Sequence, residues 1–474
     1  MRTSRRNTTP RNLSFDLPKY QEIALVLQGG GALGSYQAGV YEGLAEVGVL
    51  PTWVAGISIG ALNTAIIAGN APEDRVKALR AFWNTICQPA DSFGAYATQF
   101  AHALGLGDQA RKWASMWSAS RTLTEGQRGF FTPRVPLPFP GLDVRKPNEV
   151  SFYDTSALRK TLLEYADFDR INNGGVRVSV GAVNVRKGNL VYFDNTKMCL
   201  EPEHFMASGA LPPGFPAVEI DGEYYWDGGL VSNTPLTEII QDNQHKDTLV
   251  FQVDLWSARG NLPEDFTDVS ERTKDIQFSS RTRAITSMLS TKQKHKRLLK
   301  ELVDLLPANI SRDNPHVREA CDLADGGAIN IVHLIYNNKF YEGHYKDYEF
   351  SFDTLGEHWG SGLEDIRRSF THGEWFDVPS HELGFATHDI HRHATASGSI
   401  VDDTPPGASP SRADDAAGAP HAEAAQLTAS EDAPAAPALI EAPATAVLEP
   451  VSAPTQTRTP SKPAAKSRSR KNTA

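Results

Sequence analysis

The strongest constraint on this chain is a short apolar run that ends in glycines. Ile23-Ala-Leu-Val-Leu27 is long enough for a buried parallel strand and too short for a helix. It enters Gln28-Gly29-Gly30-Gly31-Ala32-Leu33-Gly34 without a break. Tyr36, Val40, Leu44 and Val47 then recur at helical spacing, and Gly48 marks a stop. A strand that turns into a helix through glycines leaves backbone N–H groups pointing outward at a helix N-terminus, where the dipole favours negative charge. Three readings are open. Gly29, Gly31 and Gly34 fit the GxGxxG of a dinucleotide site, which needs an acidic residue about 20 positions on. The second strand, Thr52–Ala55, ends instead in Gly56-Ile57-Ser58, with no acid. The same amides could form an oxyanion hole, which needs a nucleophile nearby. The block could also be a tight turn with no chemistry.

Gly56-Ile57-Ser58-Ile59-Gly60 is a GxSxG placed between a short apolar strand and a helix carrying Ala61, Leu62, Ala65, Ile66 and Ala68. Glycines on both sides of the serine allow the sharp strand-to-helix turn and keep Cβ atoms away from its hydroxyl. This context favours a nucleophile over a plain helix cap. A serine hydroxyl near neutral pH needs a proton acceptor. The downstream histidines His295, His333 and His344 lie in no distinctive turn, and His333 falls in the strand-like run Ala328–Ile335, where a structural role is expected. Asp227 is the sharper candidate. It follows a hairpin whose Asp221-Gly222 turn is a strong signal, and it precedes Gly228 and Gly229, which permit close approach to another element. Burial there would raise its pKa and make it a better base. An Asp-Gly-Gly that only turns the chain fits the residues as well.

Together, the blocks Gly29–Gly34, Gly56–Gly60 and Asp227-Gly228-Gly229 resemble the patatin-like phospholipase family in order, spacing and strand context. Ala207–Pro212 with Phe215-Pro216, and Asn233-Thr234-Pro235, look like further blocks of that family. The resemblance covers about residues 21–256. It implies a three-layer α/β/α hydrolase with a mainly parallel central sheet and a Ser-Asp dyad. Carried over, Ser58 is the nucleophile and Asp227 the base, and the amides of Gly29, Gly30, Gly31 and Ile59 form the oxyanion hole. Gly34, Gly56, Gly60, Gly228 and Gly229 shape the motifs. The implied reaction is acyl-ester hydrolysis of a lipid or membrane-surface substrate through an acyl-enzyme, of phospholipase A, lysophospholipase or carboxylic ester hydrolase type. One departure stands out: many family members carry Arg or Lys where this chain has Leu33.

The remaining chain divides by composition. Residues 93–152 form a long insertion with Trp113, Met116, Trp117, Phe130, Phe131 and several prolines, readable as aromatic helices on the core or as a cap whose aromatics meet lipid. Strands are expected near Val176–Val185, Leu190–Phe193 and Thr248–Val253, with helices near 201–209 and 235–242. Residues 257–390 are similar to an accessory region of some bacterial family members. Within them, 272–300 hold nine Lys or Arg against one acid, Asp275, in a chain of formal net charge −10. That cluster reads as a solvated helix face or as a surface for anionic headgroups. Residues 391–474 are expected to be disordered: positions 401–474 contain no Phe, Trp or Tyr but 20 Ala and 11 Pro, too little apolar surface to offset the entropy of ordering. A flexible basic N-terminus is expected over 1–20.

The net charge argues against a nucleic-acid partner. Cys87, Cys199 and Cys321 give neither a metal spacing nor a disulfide framework, so a reducing, cytoplasmic setting is the expectation. No metal or other cofactor is expected, since HExxH, paired CxxC and EF-hand patterns are missing. No signal peptide or membrane-spanning run is seen, which leaves peripheral membrane contact through 272–300 and the cap aromatics. The competing reading is a membrane-associated protein that keeps the fold with little or no catalysis.

Overall fold

In chain order the strands are β1 (Glu22–Leu27), β2 (Trp53–Gly56), β3 (Thr132–Pro133), β4 (Tyr153–Asp154), β5 (Arg177–Asn184), β6 (Leu190–Asp194), β7 (Val218–Ile220), β8 (Glu223–Asp227), β9 (Thr248–Asp254), β10 (Ile329–Ile335) and β11 (Phe385–Asp389). Nine of them make one sheet in the order β11-β10-β9-β1-β2-β5-β8-β7, with β6 added on β5; β3 and β4 pair apart from it. The computed structural model describes residues 15, 17–87, 107–135, 146–242, 245–280, 282–307, 314–339, 341–380 and 384–390.

The apolar run at 23–27 lies at the centre of the sheet. β1 pairs in parallel with β2 on one side and β9 on the other, so that Leu27 faces both Gly56 and Val253. Its residues alternate between two cores. Leu25 and Leu27 join a cluster with the helices α1 (Ser35–Glu46), α2 (Ile59–Ala68) and α3 (Arg75–Ile86) and with Phe350, Trp359 and Ile366. Ala24 and Val26 join Leu236, Ile239, Ile240 and Leu289 on the opposite face. Helices cover both faces of a mainly parallel sheet, which is a three-layer α/β/α fold. The antiparallel strands gather at one side: β6 and β8 both pair with β5, and β7 pairs with β8.

The residues beyond 256 do not stand apart as an accessory region. β10 continues the sheet in parallel beside β9, and β11 beside β10. The helix Phe352–Ser369 lies so close to α1 that a Cβ at Gly39 would stand 1.9 Å from the Trp359 carbonyl oxygen, and one at Gly362 would stand 2.0 Å from that of Tyr36. No unit boundary falls within the described residues. The apolar run Ile329–Ile335 gives the reason: it is a buried strand that needs a parallel neighbour, and β9 supplies the edge.

The flexible N-terminus expected for 1–20 also needs correcting at its end. Phe15, Leu17 and Tyr20 pack on the main core, and the Tyr20 hydroxyl reaches the carbonyls of Phe376 and Asp377 at 3.1 and 3.0 Å. Most of the earlier N-terminal residues and the whole of 391–474 lie outside the described residues, as do Pro136, Pro138 and Pro140 of the insertion.

Candidate active site

Both glycine-bearing turns leave the C-terminal ends of neighbouring parallel strands. After β1, Gly30 is extended and Gly31 has φ +56°, a conformation that favours glycine. Space is tight as well: a Cβ at Gly31 would lie 2.2 Å from the Asp347 carbonyl oxygen. The Gly29 N–H is already committed, donating to the Asn233 carbonyl at 3.2 Å. Gly29 therefore cannot serve as an oxyanion donor, contrary to the sequence expectation. The amides of Gly30, Gly31 and Ile59 make no hydrogen bond to another described residue, which leaves them available. Leu33 is fully buried in the main core.

After β2, the chain turns at Ser58, whose φ of +55° and ψ of −124° are strained for a residue with a side chain. Such strain is a feature of exposed-nucleophile turns. Gly60 permits the turn to sit on β1, since a Cβ there would meet the Leu27 carbonyl oxygen at 2.3 Å. Gly56 faces Gly60 at similar range, and Gly34 makes room for the Ile59 side chain. The Ser58 carbonyl accepts from the Ala61 and Leu62 amides, starting α2. The Ser58 amide donates to the Ser208 hydroxyl at 3.0 Å, which in turn donates to the Gly181 carbonyl at 2.6 Å.

Asp227 reaches the same place from the other direction. Gly56, at the end of β2, pairs with Val180 of β5; Asp227, at the end of β8, pairs with Ala182. The two strands thus run head to head along one edge of β5, and their last residues stand two positions apart, about 7 Å at ~3.3 Å per residue. Gly181 and Gly228 supply the clearance: a Cβ on either would strike the Ile57 side chain. Asp227 is buried, and its Oδ1 accepts from the Gly229 amide at 2.7 Å. Burial raises its pKa from 3.8 to about 7, while the Ser58 hydroxyl and the Gly229 amide, as hydrogen-bond donors, pull it down. A carboxyl poised near neutrality beside a hydroxyl can take and return a proton.

Ser58, Asp227 and the glycine turn share one cavity, of about 80 Å³. Phe130, Phe131, Leu211 and Phe215 form part of its wall, with ring centroids of the three phenylalanines 5.0–5.6 Å apart. Phe130 and Phe131 are therefore buried wall residues and not exposed cap aromatics. Trp113, Met116 and Trp117 of the helix Gly107–Glu125 are exposed. Another part of the wall, Phe278, Tyr348 and Phe350, comes from beyond residue 256.

None of the three histidines belongs to this cavity. His333 is buried and bonded through Nε2 to Asp254 at 2.5 Å. Among the described residues there is no cluster of three His, Cys, Asp or Glu side chains fit for a metal, and no helix long and apolar enough to cross a membrane. The sequence reading missed the supports: Gln28, Ser208, Asn233 and Trp256. For Gln28, Ser208 and Asn233 the available signal was position, since each is a polar residue inside or next to a motif block; Trp256 lies outside every block.

The layers, the mainly parallel sheet and the cleft at its strand ends are those of an α/β hydrolase fold. Two family models match the chain: one described as patatin-like phospholipase, over residues 25–240, and one described as patatin phospholipase, over residues 276–382. The chain belongs to the patatin-like phospholipase family. No curated protein matches it. Among solved structures, VipD from Legionella pneumophila is similar over 78% of this chain and 72% of its own, at 15% identity and a TM-score of 0.32. Full-length ExoU, solved with full-length SpcU of the type III secretion system of Pseudomonas aeruginosa, is similar over 64% and 68%, at 15% identity and a TM-score of 0.23. At these scores the assignment rests on the family models.

Proposed function

We propose that the protein hydrolyses acyl esters of lipids with Ser58 as nucleophile, Asp227 as base and the amides of Gly30, Gly31 and Ile59 as oxyanion donors. The observation that carries this reading is the head-to-head meeting of β2 and β8, which brings the strained serine turn to a buried carboxyl of raised pKa. Ser58 Oγ attacks the ester carbonyl as its proton passes to Asp227. The amides hold the negative oxygen. The bond to the alcohol breaks, and the alcohol leaves with the proton from Asp227. Water then attacks the acyl-serine, gives its proton to Asp227, and the fatty acid departs as Ser58 recovers its hydroxyl. Phe130, Phe131 and Phe215 supply an apolar wall suited to the acyl chain.

The substrate surface is proposed to be a membrane. Of the basic segment, Arg272 is turned inward onto the Ser257 and Ala258 carbonyls, Lys274 onto Asp347, and Lys296 onto the Asp325 carbonyl. Lys294 and Lys300 remain outward on the helix Thr282–Asp304; Lys294 shares a face with exposed Leu298 and Leu302 at i, i+4 and i+8, and Lys300 lies on the opposite face. Lipid profiling of the purified protein against phospholipids and neutral esters, with Ser58→Ala as control, tests the activity: product that persists in the variant sinks the reading. Replacing Lys294 and Lys300 with Glu should weaken binding to anionic vesicles at least about 10-fold, at roughly 1 kcal/mol per basic residue, and leave turnover of a soluble ester unchanged.

A further inference from the structure

The peptide between Gly29 and Gly30 is held on one side only. The Gly29 carbonyl accepts from Asn233 Nδ2 at 2.9 Å and from Trp256 Nε1 at 2.8 Å. A trans peptide is planar, and its N–H points opposite to its C=O. Anchoring the Gly29 oxygen therefore fixes the direction of the Gly30 N–H, one of the amides left available at the cavity. Asn233 also holds the other side of Gly29, accepting its N–H through the backbone carbonyl. The second hydrogen of the Asn233 amide goes to the Phe278 carbonyl at 2.9 Å, so both side-chain donors are in use. Phe278 ends the helix Phe266–Phe278, and its carbonyl is one of the last-turn acceptors that a helix leaves without an internal partner. Gln28 Nε2 reaches the same carbonyl at 3.1 Å, while Gln28 Oε1 accepts from the Leu255 and Trp256 amides at 2.6 and 3.0 Å.

We propose that Asn233 is a positioning residue for the oxyanion turn and that Phe278 completes its grip, which makes the region beyond 256 an integral part of the hydrolase site. This inference rests on the reading of Ser58, Gly30 and Gly31 given above. It assigns the segment matched by the second family model a definite task. One end of that segment brackets the glycine turn from behind, through the Phe278 carbonyl. Another part meets it in front, where the Asp347 carbonyl lies against Gly31.

The test uses the full chain and a soluble short-chain ester. Asn233→Asp keeps the shape, removes both donors and sets a carboxylate against two carbonyls. Its kcat should fall about 100-fold, the scale expected of an ~1 Å misplacement, with KM within about twofold. Trp256→Phe keeps a ring and removes one hydrogen bond, so a fall of about 5-fold in kcat is expected. Labelling of Ser58 by a fluorophosphonate should slow in the same order, and thermal melting reports whether each variant is folded. A folded Asn233→Asp with wild-type kcat overturns the proposal. So does a defect seen only in KM. If Asn233→Asp fails to fold, Trp256→Phe decides: unchanged kcat overturns the proposal and a selective loss supports it. A wild-type protein without Ser58-dependent turnover would sink the dyad reading instead, a result that the Ser58→Ala control separates from the others.

Discussion

The glycine turn after β1 and the serine turn after β2 leave neighbouring strands in the same direction, yet they are held by different means. The serine turn is closed mostly by its own helix, through the Ala61 and Leu62 amides, with Ser208 as an outside tether. The glycine turn relies on Asn233, Trp256 and, through Asn233, Phe278, all some 200 or more residues away. A turn that must present a side chain can be built locally, because strain at one residue aims it. A turn that must present bare amides has no side chain to steer by, so its peptide planes have to be gripped from outside.

The largest effect that could break this comparison comes from the dyad itself. Ser58→Ala and Asp227→Asn should each lower kcat on a soluble ester by about 10³-fold or more, and the double variant should be little worse than either single one, as for other residues that act as a unit. Additive losses would mean that the two do not form one device.

Next comes pH. The Asp227 carboxyl must be ionised to act, so kcat/KM should rise with pH through about 7. Its stability effect has the opposite sense. The raised pKa means that the folded chain keeps a proton which the unfolded chain releases near pH 4. Stability should then fall between about pH 4 and 7, by on the order of a few kcal/mol. Asp227→Asn should accordingly melt higher than wild type at pH 8 while being inactive. A lower melting point would contradict the assignment of burial as the main cause.

Gly60→Ala and Gly31→Ala separate the two turns. Both should cost about 1–3 kcal/mol by overpacking. The first presses on β1 at Leu27 and should lower global stability in denaturant. The second presses on Asp347 and forces a side chain into φ +56°; it should show as faster hydrogen exchange around 346–350. The same exchange map for both variants would erase the distinction. The smallest effect is that of Ser208→Ala. Losing the tether to the Ser58 amide should cost about 5-fold in kcat, the scale of one hydrogen bond.

What the sequence made legible follows the same division. Gly29–Gly34, Gly56–Gly60 and the Asp227 hairpin are local patterns of strand, turn and helix, and each stands where its spacing predicts. The buried run at 23–27 was readable as a buried parallel strand, and its central place in the sheet came from its pairing with β2 and β9. The commitment of the Gly29 N–H was not, because a hydrogen bond to Asn233 leaves no periodicity to detect. Burial of Phe130 and Phe131 on the core was one of two readings, and what decides it, Phe215 and Tyr153 folding over them, leaves no local pattern. The run at 328–335 did read as a strand, but its place beside β9, and hence the continuity of the sheet past residue 256, is a matter of pairing partners that composition does not name.

The long reach of the clamp on the glycine turn also sets an order of events during synthesis. Ser58 leaves the ribosome about 220 residues before Phe278. At roughly 5–20 residues per second that interval is roughly 10–45 s. Throughout it, β1 lacks its β9 neighbour for most of the time, and the Gly29 carbonyl lacks at least one link of its support. The grip on the glycine turn is therefore complete only after residue 278 has been made, well after the serine turn has its own helix.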